Sequence, residues 1–145
     1  MNYKMKTGRQ FNISLPDGWE DQTMYMYMGP EDSGVQHILT LSIDDQSKDI
    51  DLDAYVEERR DRLLGSMQST DILKDEEKTL PNGNPAHELV FKIIPSDNNI
   101  IFRKMVFVSI KGVYYTFAAN FSKKTIKTIG VEVDAIINSL VPLPE

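Results

Sequence analysis

The first part of the chain alternates apolar and polar positions in short runs. Phe11, Ile13 and Leu15 point one way and Asn12 and Ser14 the other, until Pro16-Asp17-Gly18 supplies turn chemistry, which predicts a strand. A second run, Thr23 to Met28, places Met24, Met26 and Met28 on one face and Tyr25 and Tyr27 on the other, and Gly29 to Gly34 is expected to break it. The third, His37 to Asp44, sets Leu39, Leu41 and Ile43 against Ile38, Thr40 and Ser42. Three strands on short loops predict an antiparallel meander.

Helical spacing follows the acidic stretch Asp44 to Asp53, where Asp51 or a neighbour is placed to cap a first turn. Leu52, Tyr55, Val56, Leu63, Leu64 and Met67 then fall on one stripe, so this helix should cover a sheet face. Four more strands are predicted at Ile72 to Thr79, Ala86 to Ile94, Ile100 to Ile110 and Val113 to Ala119. Pro81-Asn82-Gly83-Asn84, Pro95-Ser96-Asp97-Asn98-Asn99 and Lys111-Gly112 join them as hairpins. A last helix, from near Lys123 to Leu140, should bury Ile126, Ile129, Val133, Ile136, Ile137 and Leu140 before Pro142 stops it.

The order βββα-ββββα predicts a single α+β domain over 1–145, with an antiparallel sheet of six or seven strands and two helices. Two helices are few for such a sheet. The run Ile100 to Ile110 is apolar on both faces, and such a strand normally has both faces covered. Either the helices divide between the faces, or a second subunit or a ligand covers what they leave bare.

Charge and composition narrow the chemistry. The 145 residues carry 16 basic and 22 acidic side chains, a net charge of −6, and the dispersed cations argue against nucleic acid as a partner. The absence of cysteine removes disulfides, thiolate catalysis and cysteine-ligated metals. No stretch has the length of a membrane span and the opening residues lack an apolar signal core, so a cytoplasmic location without membrane insertion is expected. His37 and His87 lie on different strands without metal-ligand spacing, and each reads as a hydrogen-bonded strand histidine. The Asp44–Asp53 carboxylates lack calcium-loop register. Lys123, Lys124 and Lys127 read as a solvated helix face. With no nucleophile elbow, phosphate loop or dinucleotide fingerprint, neither an enzyme nor a cofactor is expected.

The methionine row stands out. Methionine repacks around apolar partners of differing shape and is over-used on adaptable binding surfaces. Met24, Met26 and Met28 are open to two readings, core or ligand surface, since Tyr25 and Tyr27 could equally face inward. If Leu39, Leu41 and Ile43 enter the helix-covered core, Ile38, Thr40 and Ser42 are left on the other face, where hydroxyls can bond a guest. Whether the two rows share a face depends on register across the Gly29–Gly34 loop.

Leu15-Pro16-Asp17-Gly18-Trp19-Glu20-Asp21-Gln22-Thr23-Met24, Leu41-Ser42-Ile43-Asp44, Gly83-Asn84-Pro85-Ala86 and Ile137-Asn138-Ser139-Leu140-Val141-Pro142 resemble the DcrB-like family with a PsbP-like fold. Within it the chain is most similar to the Eag-type chaperones, adaptors of the bacterial type VI secretion system. The resemblance implies a homodimer whose sheet surfaces hold the N-terminal apolar helices of a secreted toxin and help load it on the spike protein. It also implies guest contact at the positions matching Met24, Ile38 and Ser42. A small-molecule or lipid-binding module of the same fold is the alternative.

Overall fold

A computed structural model describes residues 3–7, 11–32, 34–66, 70–94 and 99–143. The strands are β1 (Tyr3–Thr7), β2 (Asn12–Pro16), β3 (Met24–Asp32), β4 (Val35–Asp44), β5 (Thr70–Thr79), β6 (Pro85–Ile93), β7 (Ile101–Ile110) and β8 (Val113–Phe121). The helices are α1 (Leu52–Gly65), between β4 and β5, and α2 (Ile129–Asn138), after β8. Six strands form one antiparallel sheet in the order β3-β4-β8-β7-β6-β5, the α+β architecture expected.

The opening strand does not join that sheet. β2 pairs only with β1, a strand the alternation did not predict, in a separate two-stranded ribbon. Its Phe11-Ile13 side is therefore not a core face, and the two side chains are 59% and 47% exposed. Gly29-Pro30 does not end β3 either; the strand runs to Asp32, with a register shift between Met28 and Glu31. Proline lacks a ladder donor, and an edge strand with a bulge tolerates it. At the β7–β8 turn both Lys111 and Gly112 have positive φ, 50° and 81°, the backbone twist that suits a two-residue hairpin.

The two helices take opposite faces. Asp51 caps α1, its Oδ1 accepting the Ala54 N–H at 2.8 Å. From α1, Tyr55 and Val56 bury against Leu89, Phe91, Phe107 and Tyr114, with Leu52 and Leu63 packed beside them. Met67, placed on the same stripe by sequence, and most of the β6–β7 loop, 95–98, lie outside the described residues. On the other face, Ile129, Val133 and Ile137 of α2 pack on Leu39, Val106, Val108, Phe117 and Phe121.

The final helix is shorter than its periodicity predicts. Thr125–Lys127 is a 3-10 turn, and α2 starts only at Ile129. Ser122 and Thr125 explain the break: the Ser122 N–H donates to Thr125 Oγ1 at 2.9 Å and the Thr125 N–H to Ser122 Oγ at 3.2 Å, a local arrangement that competes with continuous helix. Ile136, expected to be buried, is 46% exposed because α2 turns Val133 and Ile137 to the sheet instead.

Beneath α2 the sheet carries a buried charge. Glu88 is 3% exposed, with Lys74 Nζ at 2.7 Å and Lys104 Nζ at 2.8 Å from its carboxylate. Burial alone would raise its pKa, but the lysines outweigh that effect and hold the carboxyl at about 2. Lys104 also bonds Asp134, which ties α2 to β7.

Candidate functional site

Register answers the question left open by sequence. Met24 lies opposite Ser42, Met26 opposite Thr40 and Met28 opposite Ile38. Directly opposed residues of an antiparallel pair project to the same side, so all six candidate residues share one face. It is the α1 face: the cross-strand row continues from Thr40 to Ala118, Met105 and Leu89, and from Ser42 to Thr116, Phe107 and His87.

Coverage along those rows is uneven. Leu89 and Phe107 are shut under α1, whereas Met24, Met26 and Met28 are 53%, 62% and 71% exposed. Ile38, Thr40, Ser42, Thr116 and Ala118, between these extremes, are half-buried. Thr40 Oγ1 makes only a long bond, 3.4 Å, to the Ala118 carbonyl. The core reading of the methionines therefore fails; they form an uncovered row. Of the residues expected to face inward on β4, Leu39 is buried, but Ile43 is 43% exposed because the α2 core does not reach that end of the strand.

The strip has a defined cross-section. One border is the methionine row on the edge strand β3. The floor, on β4 and β8, is built of the small Thr40, Ser42, Thr116 and Ala118, with the bulkier Ile38 at the end opposite Met28. The second border is Met105 and Phe107 with α1 packed over them. Sequence reasoning missed the β8 half of the floor, although the alternation of Tyr115, Phe117 and Ala119 with Thr116 and Ala118 carries the same signal as β4.

A polar cluster fixes the α1 border. The Asp44 carboxylate, at the end of β4, accepts from the Gln46 N–H at 2.8 Å, Ser47 Oγ at 2.9 Å, Tyr55 Oη at 3.1 Å and Arg59 Nη2 at 3.0 Å. Desolvation would raise its pKa, but these bonds and the Arg59 charge prevail and hold it below its ordinary value. Arg59 lies over the Tyr55 ring, 4.6 Å from its centroid, and Tyr55 stacks on Tyr114 with centroids 3.8 Å apart.

Both histidines have the hydrogen-bond partner expected. His37 Nδ1 meets the Pro30 carbonyl at 2.9 Å, and His87 Nε2 meets Asp75 Oδ1 at 2.5 Å, with Arg60 on the same carboxylate. Among the described residues no cluster of histidines and carboxylates is placed to hold a metal, and no helix is long and apolar enough to cross a membrane.

The fold has solved counterparts. A Pseudomonas aeruginosa protein of unknown function, PA94, superposes with a TM-score of 0.75 over 100% of both chains at 14% identity. PsbP of the cyanobacterium Synechocystis sp. PCC 6803 gives a TM-score of 0.53 at 14% identity, covering 94% of this chain and 90% of its own. These likenesses concern the fold, which is PsbP-like. No curated protein sequence matches the chain. The DcrB family, however, matches residues 11–139, from β2 to the end of α2, and the chain belongs to that family.

Proposed function

We propose that this protein is a small adaptor, an effector-associated chaperone of type VI secretion, which shields the N-terminal transmembrane or amphipathic helices of a secreted toxin until the toxin is loaded on the spike. In this reading it is not an enzyme, works in the cytoplasm and acts as a homodimer. DcrB membership supports a small adaptor or regulatory protein; the chaperone reading adds the resemblance of the Asp21-Gln22-Thr23-Met24 segment and the tail after Ile137 to the Eag-type proteins.

The observation that carries the proposal is the uncovered strip, with three exposed methionines beside a floor of Thr40, Ser42, Thr116 and Ala118. β3 and β7 are three strand spacings apart, roughly 14 Å. An α-helix with its side chains measures about 10–12 Å across. One helix therefore fits lengthwise over the floor, between the methionines and α1. Small floor residues permit the close backbone approach that membrane helices use among themselves, and hydroxyls can supply helix–helix hydrogen bonds. A spanning helix of about 20 residues exposes on the order of 1,000 Å² of apolar surface; covering half stabilises the complex by roughly 12 kcal/mol before association costs. The net charge of −6 helps keep a loaded complex in solution.

The test is co-purification with the N-terminal apolar segment of the toxin encoded beside the protein's gene. Met24→Asp with Met26→Asp should abolish capture and leave the circular dichroism spectrum and unfolding midpoint unchanged. Undiminished capture by a folded double variant rejects the strip.

A further inference from the structure

The methionine row is also a row of open sulfurs. Four methionines have described side-chain surroundings, and they divide sharply: Met24, Met26 and Met28 are each more than half exposed, whereas Met105 packs against the aromatic core under α1. A thioether is oxidised by hydroperoxides the faster the more open it is, and the product, methionine sulfoxide, is polar. The chain contains no cysteine, so no thiol of its own competes for the oxidant.

The row is placed so that oxidation would change the strip without breaking the fold. None of its three side chains belongs to either buried core, so an added oxygen displaces nothing that holds the sheet together. Met24 lies directly opposite Ser42, and Met26 opposite Thr40, whose hydroxyl makes only the 3.4 Å bond to the Ala118 carbonyl. Directly opposed side chains start about 4.5–5.5 Å apart, so these hydroxyls are within reach of a sulfoxide oxygen on the neighbouring strand. A hydroxyl that donates there is no longer available to a guest helix. Met28 lies opposite Ile38, which has no donor, so the oxygen of its sulfoxide would be left unpaired once a guest excluded water.

We infer that Met24, Met26 and Met28 form a reversible oxidation site that switches the strip from an apolar to a polar surface and so releases its guest. The inference rests on the chaperone reading of that strip. The oxidant is a hydroperoxide. The sulfur lone pair attacks its terminal oxygen, the O–O bond breaks, and the proton of the transferred hydroxyl passes to the departing oxygen, which leaves as water when the oxidant is hydrogen peroxide. Sulfur loses two electrons and the peroxide gains them. In the reverse step a dithiol from another protein becomes a disulfide, and the sulfoxide oxygen leaves as water.

The experiment treats the full chain with hydrogen peroxide and follows each methionine by peptide mass spectrometry. Met24, Met26 and Met28 should be oxidised several times faster than Met105. Capture of the toxin's N-terminal apolar segment should then fall at least about tenfold, the effect of one acceptor buried without a partner, while circular dichroism and the unfolding midpoint are retained. Methionine sulfoxide reductase with a dithiol should restore capture. The triple variant Met24→Leu, Met26→Leu and Met28→Leu keeps the row apolar without its sulfurs, and its capture should withstand peroxide. Undiminished capture by protein oxidised at the row overturns the switch and leaves the chaperone reading standing. Absence of capture by the unoxidised protein overturns both. The switch also fails if Met105 reacts as fast as the row, or if the folded triple variant loses capture in peroxide. If that variant does not fold, recovery of capture by the reductase in the unaltered protein decides the matter.

Discussion

Two halves of one sheet face differ in what lies over them and in what they are made of. Under α1 the face is aromatic and closed: Phe91 and Phe107 are at most 1% exposed, and Tyr114 stacks on Tyr55. Beyond the Asp44–Arg59 border it is open, with flexible methionines at the edge and small hydroxyl residues within. Rings with few rotamers fit a partner that never changes, here the protein's own helix. Unbranched thioethers over a shallow floor fit a partner whose side chains vary. The contrast separates residues that the fold itself covers from residues that it leaves uncovered.

The sharpest way to break this contrast is to truncate one residue from each half. Phe107→Ala should cost about 3–5 kcal/mol of unfolding free energy, through lost burial and the hole left behind. Met26→Ala, at 62% exposure, should stay within about 0.5 kcal/mol. Urea titrations of both variants check the pair, and comparable losses would mean that the strip is covered in solution.

Acid probes the opposite, α2-covered face. The Glu88 pKa is about 2 in the folded chain against 4.5 for the ordinary group, so its contribution is complete above pH 4.5 and declines as pH falls towards 2. The loss should reach about 3 kcal/mol, at 1.36 kcal/mol per pKa unit. Unfolding midpoints measured from pH 6 to pH 2.5 should show this slope, and Glu88→Gln should flatten it. The methionine variants should keep the full slope, since they touch none of the Glu88 lysines.

Much of this division could be read from the chain. Period-two alternation located five of the six strands of the main sheet to within about two residues, and the deficit of helix pointed to a bare face. The failures have local causes. Gly29-Pro30 looked like a terminator because sequence does not reveal which strands are edges, and only an edge accepts that pair at a bulge. The Ser122–Thr125 hydrogen bonds that shorten the last helix involve residues ordinary in either state. The shared face of the methionine and Thr40/Ser42 rows needed the register across the β3–β4 hairpin, which alternation alone leaves free by one residue. The Asp44 cluster brings together residues up to 15 positions apart, from β4, the loop after it and α1, and its members looked like ordinary solvated charge.

That cluster gives a smaller effect at the border between the halves. Arg59→Ala removes a partner from the Asp44 carboxylate and the cation over Tyr55. Both charges are partly exposed, with side-chain accessibilities of 32% and 22%, so solvent screening limits the loss to roughly 1 kcal/mol. The unfolding midpoint should fall accordingly. Because Tyr55 remains buried against Phe107, the closed half should survive, and the near-ultraviolet signal of its stacked tyrosines should persist.

The least costly substitution separates chemistry from shape on the open floor. Thr40 is half-buried, and its hydroxyl makes only the 3.4 Å bond to Ala118, so Thr40→Ala should change stability by no more than about 0.5 kcal/mol. If hydroxyls bond the guest, this change should weaken capture of the toxin segment about threefold, since one such bond between membrane helices averages about 0.6 kcal/mol. Thr40→Leu leaves the same hydroxyl out but raises the floor between the methionines and α1, where a helix backbone would have to approach. It should therefore abolish capture while leaving the fold as stable as before, because Leu is a larger apolar residue on an open face. Equal capture by the Ala and Leu variants in a solution binding measurement would mean that the guest does not lie over β4, and the strip would lose its claim to be a helix cradle.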